Sequence, residues 1–160
     1  VLTSQGVSFL HAGVEMCRTK GGDHNSYKSA DSINALDWSR KALYSTNYEY
    51  YRGLIAIRKS HPAFRMESAE AISKNLKFIE VDRPGAVVYE LNGAAVGDDW
   101  KRIIVAFNGK PAAMPIDLPN GRWCAAVFGD KVDPEASGSL GCATYKFLVP
   151  GRSALVFVQK

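Results

Sequence analysis

The residues best equipped for chemistry crowd into one stretch, Cys17 to Trp38, where Gly, Asp, Asn, Ser and Lys follow one another with little apolar periodicity. Loops longer than about 12–15 residues inside a compact domain are usually functional. Here Asn25, Asp31 and Asn34 carry planar hydrogen-bonding groups, and Tyr27 adds an aromatic face with a hydroxyl. Such groups can hold a polar ligand. They can equally turn, cap and brace the backbone, so Asn25 and Tyr27 are either ligand contacts or loop scaffolding.

Elsewhere the reactive residue types read as structural. Glu15 and Arg18 are spaced for a surface ion pair, and His11 lies in an apolar run that suits a core histidine. His24 sits in the loop with nothing in its spacing to mark a role, and Asp37-Trp38 reads as an anchor at the entry to a helix. The three cysteines, Cys17, Cys124 and Cys142, form no CxxC pair, so their spacing gives no support for zinc. Cys124 and Cys142 can be strand neighbours, although buried small hydrophobes are the expected role. Tyr89, Trp100, Trp123 and Tyr145 offer the aromatics of a binding platform; at strand positions they read as core.

The elements that position the loop differ on its two sides. Before it, Val7–His11 is nearly all apolar, which fits a strand of a parallel sheet covered on both faces. After it, a helix over Thr46–Ser60 is predicted. Ser45 or Thr46 can cap it with Glu49 as capping-box partner, Tyr48, Tyr51, Leu54, Ile55 and the Arg58 stem share a face, and Pro62 stops it. Strand, loop and helix together read as the final βα unit of an α/β domain. Near residue 65 the texture changes. A short helix over Ser68–Ser73 leads to short alternating segments at Leu76–Val81, Ala86–Leu91, Arg102–Asn108, Ala113–Leu118, Arg122–Phe128, Ala143–Leu148 and Ala154–Gln159. Asn108-Gly109, Asn120-Gly121 and Pro150-Gly151 supply turns between them, and an antiparallel sandwich of about seven strands is expected.

Composition narrows the class. With 46% hydrophobic and 22% charged residues the chain is that of a globular protein, and no run approaches the ~20 apolar residues of a membrane helix. The net charge of +4 is scattered, without a basic run or a nucleic-acid module, and reads as solvated surface rather than a nucleic-acid interface. The first residues have no basic segment or cleavage site of a signal peptide, and the apolar start without Met is expected of a chain cut from something larger. The compartment stays open.

The segment GVSFLHAGVEMCRTKGGDHNSYKSADSINALDW resembles the eighth barrel strand and following loop of type I pullulanases, debranching enzymes of the α-amylase superfamily. Three blocks carry the likeness: Gly6–Glu15 with its HAG and acidic residue, Asp23–Tyr27 with NSY, and Asp31–Trp38 with DSIN-A-LDW. Ser60–Arg65 (SHPAFR) matches as well, and the β-rich remainder agrees with the family's C-terminal domain in length and position.

The resemblance implies an α+β chain: residues 1–65 the end of a (β/α)8 barrel, with strand 8, loop and helix 8, and residues 66–160 an antiparallel β-sandwich. It implies hydrolysis of α-1,6 branch linkages in pullulan, starch or glycogen by a parent barrel, the rest of which would be this chain's partner. Asn25, Tyr27, Asp31 and Asn34 would be substrate-binding residues on one wall of the glucan cleft, since barrel active sites are built from such loops. Asp31 would either bond glucose hydroxyls or cap the turn at Ser32-Ile33. No catalytic residue carries over, because the family's nucleophile, acid/base and stabilising aspartate lie on earlier strands. A retaining glycosidase needs two carboxyl groups about 5 Å apart across the scissile bond. No organic cofactor is implied; calcium occurs in the superfamily, and no ligand cluster here calls for it. A non-catalytic glucan-binding or interaction module is the alternative.

Overall fold

Strand Arg102–Asn108 reads Ile-Ile-Val-Ala in its interior, apolar at every position, and the fold shows why: both of its faces are covered. The computed structural model describes Val1–Lys160. Its strands are β1 (Leu76–Ile79), β2 (Ala86–Asn92), β3 (Arg102–Asn108), β4 (Met114–Asp117), β5 (Trp123–Phe128), β6 (Lys131–Val132), β7 (Cys142–Ala143), β8 (Lys146–Val149) and β9 (Ser153–Gln159). The main sheet runs β1-β2-β3-β9-β5-β6, with β7 also on β5, and every pairing is antiparallel. Strands β4 and β8 form a separate two-stranded sheet.

Register explains the two cores. Tyr89, Val105 and Val156 lie opposite one another across β2, β3 and β9, and they face a layer containing Ile57, Phe64 and Met66. One residue along, Val88 pairs with Ala106 and Ile104 with Phe157; these turn the other way, onto Met114, Ile116 and Val149 of the small sheet. The result is α+β, three layers deep: helix, large sheet, small sheet. A strand alternates its side chains at period two, so only a strand covered twice can be apolar throughout.

The helical layer comprises α1 (Asp31–Asn34), α2 (Arg40–Leu43), α3 (Ser45–Ser60) and α4 (Ala69–Asn75). Neither Ser45 nor Thr46 caps α3, and Glu49 pairs with Arg52 at 2.8 Å instead of closing a capping box. The preceding turn makes a cap unnecessary, because α2 runs into α3 and the Tyr44 carbonyl accepts the Tyr48 N–H. The face that α3 buries against the sheet is Tyr50, Leu54 and Ile57, not Tyr48, Tyr51 and Ile55. Tyr48, Tyr51 and Ile55 gather with Leu10 on the far side. Gly53 permits the approach to the sheet: a Cβ there would lie 2.8 Å from Val132 Cβ and Cγ1. Ser68 does cap α4, accepting from the Ala71 N–H at 3.0 Å.

Long-range polar contacts tie the helical layer to the chain start and to the sheet. The buried Arg58 guanidinium donates to the carbonyls of Leu2, Ser4 and Gly6 at 3.1, 2.7 and 2.7 Å. Its pKa is lowered by burial and then by the repulsion of Arg65. The Tyr89 hydroxyl donates to the Thr3 carbonyl at 2.7 Å. Asp98, between β2 and β3, accepts from His61 Nδ1 at 2.7 Å, Trp100 N–H at 2.9 Å and Ala63 N–H at 3.0 Å, while the His61 ring stacks on Trp100. Burial works to raise the Asp98 carboxyl, but the His61 bond and the two backbone donors hold it below the ordinary carboxylate range.

Several expectations are corrected. Val7–His11 forms no strand, because no strand of this chain lies beside it to complete a ladder; Val7 is 99% exposed and Phe9 85%. His11, on that segment, is exposed rather than core. The single strand expected over Ala143–Leu148 divides into β7 on the large sheet and β8 on the small one, with Tyr145 at the crossing. Strand β6 was not anticipated; it is only two residues long. Cys124 and Cys142 are register partners joined in a disulfide, not separate buried thiols. Tyr89, Trp100 and Trp123 are core as expected, and only Tyr145, exposed, departs from that reading.

Candidate functional site

Residues 17–38 contribute nothing to either apolar core, so the loop must be held by polar contacts. Its base is a turn after Met16, which is buried, and Gly13 takes a φ of 93°, where a Cβ would meet Arg18 Cβ at 2.8 Å. Only glycine fits both demands. Glu15 does not pair with Arg18; its carboxylate accepts the Gly13 N–H at 3.1 Å. The Arg18 guanidinium instead crosses the base of the loop to the carbonyls of Ala12 and Asn34. From α3, Asn47 donates to the Glu15 carbonyl at 2.9 Å, which ties the loop base to the helix.

Asn34 is the centre of the loop. Its Nδ2 donates to the carbonyls of Ser26 at 2.7 Å and Ser29 at 2.9 Å, and its Oδ1 accepts from Lys20 Nζ at 3.0 Å. Lys20 also donates to Ser26 Oγ. Asp23 closes the near side, accepting the Asn25 N–H at 3.0 Å and the Ser29 hydroxyl at 2.5 Å. Those two donors, Ser29 first, hold the Asp23 carboxyl below the ordinary range.

Ser26 is thus buried while its neighbours Asn25 and Tyr27 stand out in solvent, Tyr27 at 74% exposure. Neither the Asn25 amide nor the Tyr27 hydroxyl has a hydrogen-bond partner within the chain; Lys28 Nζ lies 5.3 Å from the Tyr27 ring. Asp31 opens α1, is exposed, and caps nothing: the N-cap is Ala30, without a side-chain bond. The four expected ligand contacts therefore divide. Asn25, Tyr27 and Asp31 present free side chains, whereas all the bonding capacity described for Asn34 is turned inward.

Asp37 accepts from the Ser39 N–H at 3.0 Å and the Ser39 hydroxyl at 2.5 Å ahead of α2, a helix the sequence did not predict, and Trp38 anchors nothing and is 67% exposed. His24 is exposed. Of the carboxylates from Glu15 to Asp37, three accept backbone or hydroxyl donors and Asp31 accepts none. No group of three His, Cys, Asp or Glu side chains is placed to hold a metal ion. Lys20 and Ser26 were not singled out by the sequence, and a lone Lys or Ser in a polar loop carries no signal that could have done so.

The family described as alpha-1,6-glucosidases, pullulanase-type, C-terminal, matches residues 22–160. This chain belongs to that family. A pullulanase of Bacillus subtilis (strain 168) is 42% identical over 120 residues, a match that covers 75% of this chain and 17% of the relative. The solved pullulanase from Bacillus acidopullulyticus superposes with a TM-score of 0.91 at 42% identity, over 99% of this chain and 19% of its own. A second solved pullulanase, from Anoxybacillus sp. LM18-11 and complexed with maltotriose, gives 0.86 at 31% identity over 99% of this chain and 21% of its own. The chain thus spans about a fifth of these pullulanases.

Proposed function

We propose that this chain is the closing portion of a debranching glycoside hydrolase that cleaves α-1,6 linkages in pullulan, starch or glycogen. Residues 1–65 would be the last strand, loop and helix of its (β/α)8 barrel, and residues 66–160 its β-rich C-terminal domain. Val7 and Phe9 would pair into that barrel, which accounts for an apolar segment with no neighbour. The loop from Cys17 to Trp38 would form one wall of the α-glucan cleft, with catalysis carried by carboxylates elsewhere in the protein.

The observation that carries this reading is the pair Asn25 and Tyr27, held outward with free polar groups by a loop in which Lys20, Asp23 and Asn34 are bonded inward. Sugars are bound by planar hydrogen-bonding groups and aromatic faces, and loops at the ends of barrel strands are where such folds act. Loss of one contact of this kind costs about 1–3 kcal/mol, or roughly ten- to a hundredfold in kcat/KM. Tyr27→Ala and Asn25→Ala in the complete protein should show that loss on pullulan with an unchanged Tm. The 160-residue chain alone should release no reducing ends. Unchanged kinetics in both variants would remove the loop from the substrate site. A carbohydrate platform on the sandwich gains no support, since its tryptophans are buried.

A further inference from the structure

We infer that Asn34 and Lys20 are positioning residues: together they set the shape of the Ser26–Lys28 turn, and through it the affinity for α-glucan. The inference rests on the proposed role of Asn25 and Tyr27. It adds that affinity is controlled by residues that never touch the sugar.

The loop is tied to neither apolar core. Neither α1 nor any residue from Cys17 to Trp38 belongs to a core cluster, and among these residues only Ser26 is buried. A polar segment of this length loses conformational entropy at each ordered residue and must recover it from hydrogen bonds. Asn34 supplies two donors that bridge the turn, one to the residue before Tyr27 and one to Ser29, two residues after it. Lys20 then locks the amide by binding its oxygen, which also fixes which end of Asn34 faces the turn. The same ammonium reaches Ser26 Oγ, so one cation bridges both ends of the Ser26–Asn34 segment. Without these contacts Tyr27 and Asn25 would sample many orientations, and apparent affinity falls in proportion to the fraction that remains competent.

Because no core residue is involved, loop order and global stability should separate. In the complete protein, Asn34→Ala should raise KM for pullulan about tenfold with kcat changed less than threefold, and leave Tm within about 1 °C. Hydrogen exchange at residues 26–35 should accelerate at least tenfold. Asn34→Asp keeps the acceptor for Lys20 but loses both donors; it should resemble Asn34→Ala in exchange and KM. Lys20→Met should raise KM less than Asn34→Ala, and Lys20→Arg should recover most of the loss. Tyr27→Ala, measured alongside, separates the two levels of inference. If Tyr27→Ala weakens glucan use while Asn34→Ala alters neither exchange nor KM, positioning by Asn34 is wrong although the loop binds. If Asn34→Ala speeds exchange but neither variant changes KM, the loop is outside the cleft. A fall in Tm that accounts for the lost activity would make Asn34 a stability residue and overturn the proposal.

Discussion

Asp98→Ala should be among the most damaging single substitutions in this chain, although Asp98 lies outside every strand and helix. Its two oxygens take three donors, His61 Nδ1, Trp100 N–H and Ala63 N–H, within a side chain that is fully buried. Alanine leaves those donors buried without partners, each costing about 1–3 kcal/mol. The losses are not additive, and for three donors sharing one carboxylate a total of about 3–5 kcal/mol is expected. For a chain of this size each 1 kcal/mol moves Tm by about 2–4 °C, so a fall of roughly 6–20 °C is expected. Asp98→Asn keeps one acceptor but sets an amide donor against a donor, and should fall between wild type and alanine. The pH dependence has a definite sign. The folded Asp98 carboxyl sits below the ordinary carboxylate range, so the unfolded chain binds the proton more readily and stability rises with pH there. The advantage of wild type over Asp98→Asn should be complete above about pH 4 and shrink as pH falls through the lowered folded value. Denaturant melts of both chains across pH 2–7 measure it. A loss below about 1 kcal/mol for Asp98→Ala, or a wild-type advantage that grows on acidification, would refute this role of Asp98.

Three further outcomes follow from the packing. The Cys124–Cys142 disulfide closes a separation of 18 residues, for which loop entropy gives about 3 kcal/mol; reductant should lower Tm by roughly 6–12 °C. Alkylation without reductant should modify the exposed Cys17 alone, and three modified thiols would show that the bridge does not form. Gly53→Ala should fail to deliver the ~1 kcal/mol that helix propensity promises, because overpacking against Val132 costs about 1–3 kcal/mol. Adding Val132→Ala should recover part of that loss, and a stabilised single mutant would disprove the contact. Tyr89→Phe should cost about 1 kcal/mol through the lost bond to Thr3, measured as a shift in denaturant midpoint at constant slope.

Local patterns were legible without the fold. The β3 run Ile103–Ala106, the turns at Asn108-Gly109 and Pro150-Gly151 and the stop at Pro62 each depend on a few neighbouring residues. The polar loop was equally plain. What the structure decided is non-local. Asn25 and Asn34 are the same side chain in the same loop, yet one faces solvent and the other is spent on Ser26, Ser29 and Lys20. Composition cannot separate them, because the difference lies in where the backbone turns each one. His11, in an apolar run, looked like core and is exposed, while His61 is buried on Asp98, 37 residues away. The Cys124–Cys142 pairing and the face that α3 buries are of the same kind. Periodicity and turn chemistry act over a few residues and are written along the chain; partners brought together by sheet closure are chosen by register and burial, which exist only once the chain has folded.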